Sequence, residues 1–229
     1  MRGPRPEQAL LSRDTDPGKT EETRRVIEVM VDALNDHRID DIGEFFVDDF
    51  VWRGNWGCGT KHGLAAFQDH WQRPFQAAFS DKVAIDEARL YMGEWGACFG
   101  AQHAVHSGEF MGIAPTGQQV EIRYMDFWKV EDGKIVENWV SVDFAHVMAQ
   151  LGEDVFRGHG WEAYDRGERV EIRYMDFWKV QNGKIVENWV SVDFAGVLAQ
   201  LGEDVFEGEG WEAYDRGERE APGPAPRDG

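Results

Sequence analysis

The sequence predicts an α+β domain in which three helices pack against a curved, mostly antiparallel sheet. Three observations support this prediction. Apolar residues recur at helical spacing before residue 80, and from residue 83 onward alternating segments follow one another across short turns. The chain is 42% hydrophobic, with ten Trp and fourteen Phe, so it has enough apolar side chains to bury a core.

The first helix has Thr20 as its expected N-terminal cap, followed by apolar residues on one face. The third helix contains Pro74, which should kink or split it because proline lacks the backbone N–H and clashes with the preceding turn. The three predicted helices cover 20–38, a short segment that starts at Asp40 or Asp41, and 62–79.

The strands are predicted from alternation of apolar and polar residues between turn residues such as Gly93 and Gly133. A brief strand at 50–52 precedes a glycine-rich loop at 54–60, and a short helix at 144–151 closes the domain. The remaining predicted strands are 83–92, 95–106, about 109–113, 118–130 and 134–144.

The chain also repeats itself, since residues 120–169 and 170–219 match at 44 positions and differ at six. Two such units are too few for a solenoid. We therefore predict one domain over 20–169, with 170–219 as a duplicated hairpin-and-helix segment that is either an appendage or a swapped hairpin. The ends, 1–19 and 220–229, are rich in Pro, Gly and charge and are expected to be disordered.

Only one of the two copies can complete a single sheet. The turn at 115–117 leads directly into the first copy, whereas the second copy must first pass the length of a whole repeat, so the first is favoured. A recent duplication and an artefact of sequence assembly account equally well for the near-identity of the copies.

The hairpin at 118–144 has a register that can be tested against burial. A two-residue turn would mix apolar and polar faces, so we predict a three-residue turn with Gly133 left-handed in a bulge. Trp128 then lies opposite Val136, and Asp126 lies opposite Asn138 on the buried face.

Asp126 is the candidate catalytic group that follows from this register. A carboxylate among aromatic and aliphatic side chains is costly to desolvate, so its pKa should rise toward the range that a general acid or base needs. The alternative is structural: Asn138 and Tyr124 would simply satisfy a buried carboxylate.

Composition argues against several functions. A net charge of −19 disfavours nucleic-acid binding, and no apolar run is long enough for a membrane span. No secretory signal is visible, and the two cysteines, Cys58 and Cys98, form no CxxC pair, which suits a reduced cytoplasm. We therefore expect a cytoplasmic protein with neither a nucleic-acid nor a membrane partner.

Nucleotide, metal and thiol sites are weakly indicated. Residues 54–61 (GNWGCGTK) resemble a phosphate loop, but Thr60 precedes Lys61 where the motif requires the reverse order. His103 and His106 point to opposite faces of one strand and cannot bind one metal together. We predict no metal and no cofactor, and we interpret Cys58 as a structural thiol.

The outward face of the hairpin is too apolar for open water. It carries Met125, Phe127, Ile135 and Trp139, which indicates either a sheet-to-sheet homo-oligomer interface or a surface covered by the closing helix.

Several motifs resemble those of the SnoaL-like polyketide cyclase (ester cyclase) family, within the nuclear transport factor 2 superfamily. The likeness covers about 20–156 and is most specific in the DGKI turn and the QLG sequence. The motifs are HWQRPF at 70–75, MDFWKVEDGKI at 125–135, ENW at 137–139, VDF at 142–144 and QLG at 150–152.

The resemblance implies a cone-shaped α+β barrel, open at one end, that holds a small hydrophobic molecule, and homodimers or higher homo-oligomers formed through the convex sheet face. Characterised members close a ring by cofactor-free intramolecular aldol condensation. Their catalytic aspartate matches Val140 in this sequence, and the histidine that faces it matches Asp126, so the carboxylate would have moved across the hairpin.

The sequence thus predicts cyclase-, isomerase- or lyase-type acid–base chemistry on a hydrophobic carbonyl compound, with Asp126 removing a proton next to the carbonyl. The alternative is a module of the same fold that binds a small ligand or oligomerises without catalysis. The enolate is expected to be stabilised by Tyr124, by Asn138 or by a pocket histidine, which is His70 or His103. The expected substrate-binding walls are Trp52, Trp56, Trp71, Trp128 and Val140.

Overall fold

The computed structural model describes residues 16–36, 38, 41–156 and 171–223. Most of both predicted tails, and the predicted helix start at Asp40, lie outside these residues. The predicted fold class is confirmed: helices cover one face of a curved six-stranded sheet, and a second, two-stranded sheet lies beside it. We call the six-stranded sheet with its covering helices the barrel. None of the helices in the described ranges is long and apolar enough to cross a membrane.

Helix α1 spans Pro17–Asn35, so it begins inside the segment that was predicted to be a tail. Asp16 caps it, because its Oδ1 accepts the backbone N–H of Gly18 at 2.7 Å and that of Lys19 at 3.2 Å. The prediction that Thr20 is the cap is therefore wrong. Pro17 suits the first helical position, where no N–H is needed, and this moves the start upstream.

The chain stays helical through Pro74, and the kink or split predicted there takes the form of a π-helical turn just before the proline. A 3₁₀ turn at Asp41–Phe45 stands in the place of the short second helix. The third helix divides into three parts, which are α2 (Leu64–Phe67), a π-helical turn (Gln68–Gln72) and α3 (Arg73–Ala78).

The sheet has the strand order β2-β1-β6-β5-β4-β3, in which β1 and β6 run parallel and all other neighbours antiparallel. The strand predicted near 109–113 is reduced to a single bridge between Phe110 and Ile113. The strands are β1 (Phe46–Arg53), β2 (Thr60–His62), β3 (Phe79–Met92), β4 (Trp95–His106), β5 (Gln119–Glu131) and β6 (Lys134–Val142), and helix α4 (Phe144–Gln150) follows them.

The predicted register of the β5–β6 hairpin is wrong by two residues. The turn has two residues, Asp132 and Gly133, both with positive φ, and a bulge then leaves Val136 without a partner. The bulge shifts the pairing by one further residue, so Trp128 lies opposite Asn138. Because the total shift is even, the inward face keeps the predicted residues from Asn138 onward, and Asp126 and Asn138 become diagonal neighbours. Ile135, which was predicted to face outward, is instead fully buried in the core, because the bulge reverses the alternation at the start of β6.

The second repeat folds into the same elements but builds a separate sheet. Its hairpin pairs only with itself, while the barrel takes its own hairpin from the first repeat. The elements are β7 (Tyr174–Gln181), β8 (Lys184–Val192), α5 (Phe194–Gln200) and α6 (Glu212–Asp215).

The end of the second repeat returns to the barrel and packs on the aromatic residues of its core. We call residues 206–219 the cap. Trp211 is fully buried there, and its ring centroid lies 5.5 Å from Trp71, 5.8 Å from Phe110 and 6.2 Å from Phe144. The sequence did not predict this cap, since the same residues also occur in the first repeat.

Candidate functional site

A cavity of about 150 Å³ lies between the helices and the concave face of the sheet. Its walls are largely apolar, and a small set of polar side chains lines one part of it. Such a cavity suits a small hydrophobic molecule that carries a few polar groups. The polar residues of the lining are Asn35, Gln72, Gln76, Lys82, Asp86, Gln102, Tyr124, Asp126 and Asn138.

The aromatic wall is formed by stacked side chains from the strands and the split helix. Trp52 of β1 stacks on Trp71 at 4.5 Å, and Trp71 stacks on Phe75 at 5.1 Å. Trp128 and Val140 line the cavity from the sheet. Four of the residues predicted as substrate-binding walls, namely Trp52, Trp71, Trp128 and Val140, therefore meet at one cavity.

Asp126 reaches this cavity because alternate residues of β5 face inward. The Nδ2 group of Asn138 donates to Asp126 Oδ1 at 3.0 Å and to the carbonyl oxygen of Phe127 at 3.2 Å. Burial raises the pKa of Asp126 to about 7, and the negative charge of Asp86 adds to the rise, while the Asn138 hydrogen bond opposes it. The carboxyl group can thus both take up and release a proton near neutral pH.

Asp86 of β3 is a second cavity carboxylate, which the sequence did not predict. It accepts a hydrogen bond from the Tyr124 hydroxyl and pairs with Arg89, whose Nε lies 2.5 Å from Asp86 Oδ2. Burial, and then the hydrogen bond and charge of Asp86, raise the pKa of Tyr124 well above its ordinary value. Tyr124 therefore remains protonated, with its hydrogen directed at Asp86.

Asp86 was missed because β3 inverts the usual pattern of burial. Its apolar residues Val83 and Ile85 face away from the cavity and are more than half exposed, whereas Lys82 and Asp86 face into it. Placing the apolar face inward, as for the hairpin, turns Asp86 toward solvent. The orientation of Asp86 could be found only from the pairing of β3 with β4, because the inward residues of β4 include Cys98 and Gln102.

Three predicted site residues lie outside the cavity, so their expected roles do not fit this geometry. His103 is exposed on the outer face of β4, because the inward positions of that strand are even-numbered. The backbone N–H of Trp56 donates to Asp193 at 3.0 Å, which holds the glycine-rich loop against the second repeat. His70 lies beside the cap, where its Nδ1 is 2.8 Å from Asp215 Oδ1.

The glycine-rich loop holds the cap and has no phosphate-loop geometry. Lys61 is fully buried and forms an ion pair with Asp215 of the cap. Gly57 has φ +88° and lies so close to Phe206 that a Cβ there would overlap the ring. Burial raises the pKa of Cys58, which leaves it a structural thiol. Among the described residues, no group of three His, Cys, Asp or Glu side chains is arranged to hold a metal.

Comparison with known proteins places the barrel among relatives of similar length. The chain is 28% identical over 135 residues to nogalonic acid methyl ester cyclase of Streptomyces nogalater, a match that covers 58% of this chain and 98% of that protein. It is 26% identical over 136 residues to aklanonic acid methyl ester cyclase DauD of Streptomyces sp. (strain C5), covering 58% and 83%.

Two solved structures share the fold of the barrel. IdmH of Streptomyces antibioticus is 28% identical, with a TM-score of 0.51 and coverage of 57% of this chain and 99% of that one. AclR of Streptomyces galilaeus is 25% identical, with a TM-score of 0.52 and coverage of 58% and 97%. The family described as SnoaL-like polyketide cyclase matches residues 24–151, more than half of the chain. The chain therefore belongs to the SnoaL-like polyketide cyclase family.

Proposed function

We propose that this protein is a cofactor-free cyclase that performs acid–base chemistry on a small hydrophobic carbonyl compound of the polyketide type. The observation that carries the proposal is Asp126, a carboxyl group with a pKa near 7 in an aromatic-walled cavity. Two relatives are named as cyclases of nogalonic and aklanonic acid methyl esters, and the family is described as polyketide cyclases, which supports this substrate class.

The position of Asp126 suits the displaced carboxylate that the sequence predicted. Asp126 is paired directly with Val140, the position of the family's usual catalytic aspartate. Cross-strand neighbours place their Cβ atoms about 5 Å apart, so a carboxylate at 126 projects into the same part of the cavity. Asn138 has both N–H groups engaged, and it acts as a positioning residue for Asp126 rather than as a donor to substrate.

The proposed reaction is an isomerisation that returns its proton. Asp126 removes a proton from the carbon next to a carbonyl and becomes neutral. The resulting enolate forms a carbon–carbon bond to a second carbonyl of the same molecule, and the alkoxide takes the proton back from Asp126. Gln72, whose buried Oε1 has no partner in the described structure, lines the cavity and can meet a polar group of the substrate.

The stability of the protein is expected to fall with rising pH because of Asp126. Its pKa rises from 3.8 in the unfolded chain to about 7 in the fold, so the folded state binds the proton more tightly. The resulting loss of folding stability is absent below pH 4, grows between pH 4 and 7, and is complete above pH 7. At about 1.4 kcal/mol per pKa unit its upper limit is about 4 kcal/mol. Urea unfolding at pH 5 and 8 measures the part of this loss that develops between those two pH values, about 3 kcal/mol at most, and Asp126→Asn should remove most of that difference.

Asp86→Asn is expected to shift the pH dependence of turnover toward lower pH. The substitution removes a negative charge that faces Asp126, so the pKa of Asp126 should fall and its base form should persist at lower pH. The other polar or charged groups on the facing elements, Lys82, Cys98, Tyr124 and Asn138, are unchanged. The exposed neighbour Glu87→Gln is the control. An unshifted profile in Asp86→Asn would show that Asp86 does not influence Asp126.

A non-catalytic binding module is the second candidate, and the absence of a carboxylate at Val140 is the observation that favours it. Both candidates predict quenching of Trp fluorescence by a hydrophobic ligand, since three Trp residues line the cavity. Product analysis separates them: binding of a methyl ester polyketide acid without formation of a cyclised product supports the module.

A further inference from the structure

Among the described residues, the cavity lining holds one basic side chain, that of Lys82 on β3. The chain as a whole carries a net charge of −19, and two carboxylates, Asp86 and Asp126, line the same cavity. The acid–base chemistry proposed for Asp126 makes no use of Lys82. A lysine in this lining therefore calls for a role of its own.

The ammonium group of Lys82 is held by neutral acceptors. Its Nζ donates to the carbonyl oxygen of Phe79 at 2.7 Å and to Oε1 of Gln76. Within the described part of the chain, no carboxylate lies within ion-pair distance of this Nζ, and Asp81 acts on it from farther away. An ammonium group has three N–H bonds, so one is left to donate to a bound molecule.

Burial makes this charge receptive to an anion. It lowers the pKa of Lys82 to about 8, because the charged form loses contact with water, while the charge of Asp81 opposes the fall. The amine is still mostly protonated at pH 7. A partly buried cation that is held by neutral groups is stabilised when a ligand brings an oxygen anion to it.

A second polar group of the lining also has a free valence. Gln72 is 6% exposed, and its Oε1 has no hydrogen-bond partner in the described structure. Gln72 and Gln76 are four residues apart on the continuous helical backbone of the π-helical turn and α3, so they lie on one face of it. An unpartnered acceptor thus lies one helical turn from the contact between Gln76 and Lys82.

The aromatic wall adjoins this polar group. The Nζ of Lys82 lies 5.8 Å from the ring centroid of Phe75, which stacks on Trp71 at 5.1 Å. A flat conjugated ring that lies along this wall can therefore place an oxygen at its edge beside the ammonium group.

Lys82 lies far from the carboxyl group that is proposed to move the proton. Val83, the next residue of β3, pairs with His103 of β4. Asp126 pairs with Cys98, five residues away on the same strand. Five residues of a strand span about 16 Å. Lys82 is therefore placed to bind one end of a molecule whose other end meets Asp126.

We infer that Lys82 and Gln72 form a subsite for an acidic oxygen of the substrate, carried by a carboxylic acid or by an acidic enol or phenol. The inference rests on the proposed function for its small carbonyl substrate and adds that this substrate binds as an anion. Lys82 supplies the positive charge and an N–H, and Gln72 accepts a hydrogen bond from a neighbouring hydroxyl group. The subsite fixes which end of the molecule faces Asp126.

Matched acidic and neutral probes test this inference in the full chain at pH 7, with quenching of Trp fluorescence as the readout. One pair is 2-naphthoate and methyl 2-naphthoate, and the other is 2-hydroxy-1,4-naphthoquinone and its methyl ether. In at least one pair the acidic probe should bind more tightly. Lys82→Met should weaken that acidic probe by about tenfold or more and change its neutral partner by less than about twofold. The pair that responds identifies the source of the acidic oxygen.

Lys184→Met is the matched control, because it removes the same charge from the exposed start of β8, outside the cavity, and should leave both affinities unchanged. A purely structural lysine would only cap the end of α3, where a positive charge is favourable. No preference for either acidic probe in the unmodified protein, or equal weakening of both members of a pair by Lys82→Met, shows that structural role and overturns the inference. If Lys82→Met does not fold, Lys82→Gln, which keeps an N–H for the Phe79 carbonyl oxygen, provides the same comparison.

Turnover separates this inference from the proposed function. Lys82→Met should raise KM for a substrate that carries the acidic oxygen and change kcat little, whereas Asp126→Asn should keep the preference for the acidic probe. A protein without cyclase activity would contradict the proposed function, and the probe preference would still decide the subsite.

Discussion

Asp126→Asn is expected to lower kcat by about 10²–10⁴-fold, the usual contribution of a general acid or base. The amide keeps the size of the carboxyl group and can still accept the hydrogen bond from Asn138. It cannot, however, take a proton from carbon. Affinity for a substrate analogue should change little, because the aromatic wall of Trp52, Trp71 and Trp128 is untouched. Turnover by product analysis and binding by Trp fluorescence measure the two effects separately.

The repeat supplies a matched control for this experiment. Asp176 is the counterpart of Asp126, with the same neighbours along the chain, but it lies on β7 and outside the cavity. Asp176→Asn should therefore leave kcat unchanged. Full activity in Asp126→Asn would remove Asp126 from the chemistry and favour the binding module. Equal losses in both variants would instead indicate a general effect on folding.

Local pattern was enough to predict the inward face of the β5–β6 hairpin except at Ile135, which is buried, but not its pairing. Alternate residues of a strand face the same side of the sheet. A shift of the strand pairing by any even number of residues therefore leaves Asp126 and Asn138 on the buried face. A three-residue turn and a two-residue Asp132-Gly133 turn followed by a bulge at Val136 both satisfy the same apolar pattern. The pattern therefore does not choose between them. The face could therefore be predicted from the sequence, whereas the exact partner of Asp126 could not.

The orientation of Asp86 and the choice of segment for the cap are set by contacts between residues far apart in the sequence. The apolar residues of β3 face outward, so polarity along that strand predicts the wrong orientation for Asp86. The cap requires a choice between two nearly identical segments, and no local property of Trp211 distinguishes it from Trp161. Two cap residues distinguish the segments, Glu207 and Glu209, which are an arginine and a histidine in the first repeat.

Trp211→Ala is expected to destabilise the protein by about 3–5 kcal/mol, the usual cost of removing a large buried aromatic side chain. Trp211 is fully buried among Trp71, Phe75, Phe110 and Phe144, so the truncation leaves a cavity between these rings. Chemical unfolding followed by far-UV circular dichroism measures the loss. Ligand affinity should fall as well, because Trp71 is shared by the cap contact and the cavity wall.

Trp161→Ala is the matched variant, since Trp161 holds the same position in the first repeat. Trp211 already fills the space among these aromatic rings, so Trp161→Ala should change the free energy of unfolding little. The preference for the second copy has a physical basis in Arg219, which pairs with Glu209 at 2.8 Å and with Glu109 at 3.3 Å. A cap drawn from the first repeat would carry histidine in place of Glu209 and lose that pair. A large loss in Trp161→Ala together with a small one in Trp211→Ala would show that the first repeat closes the barrel.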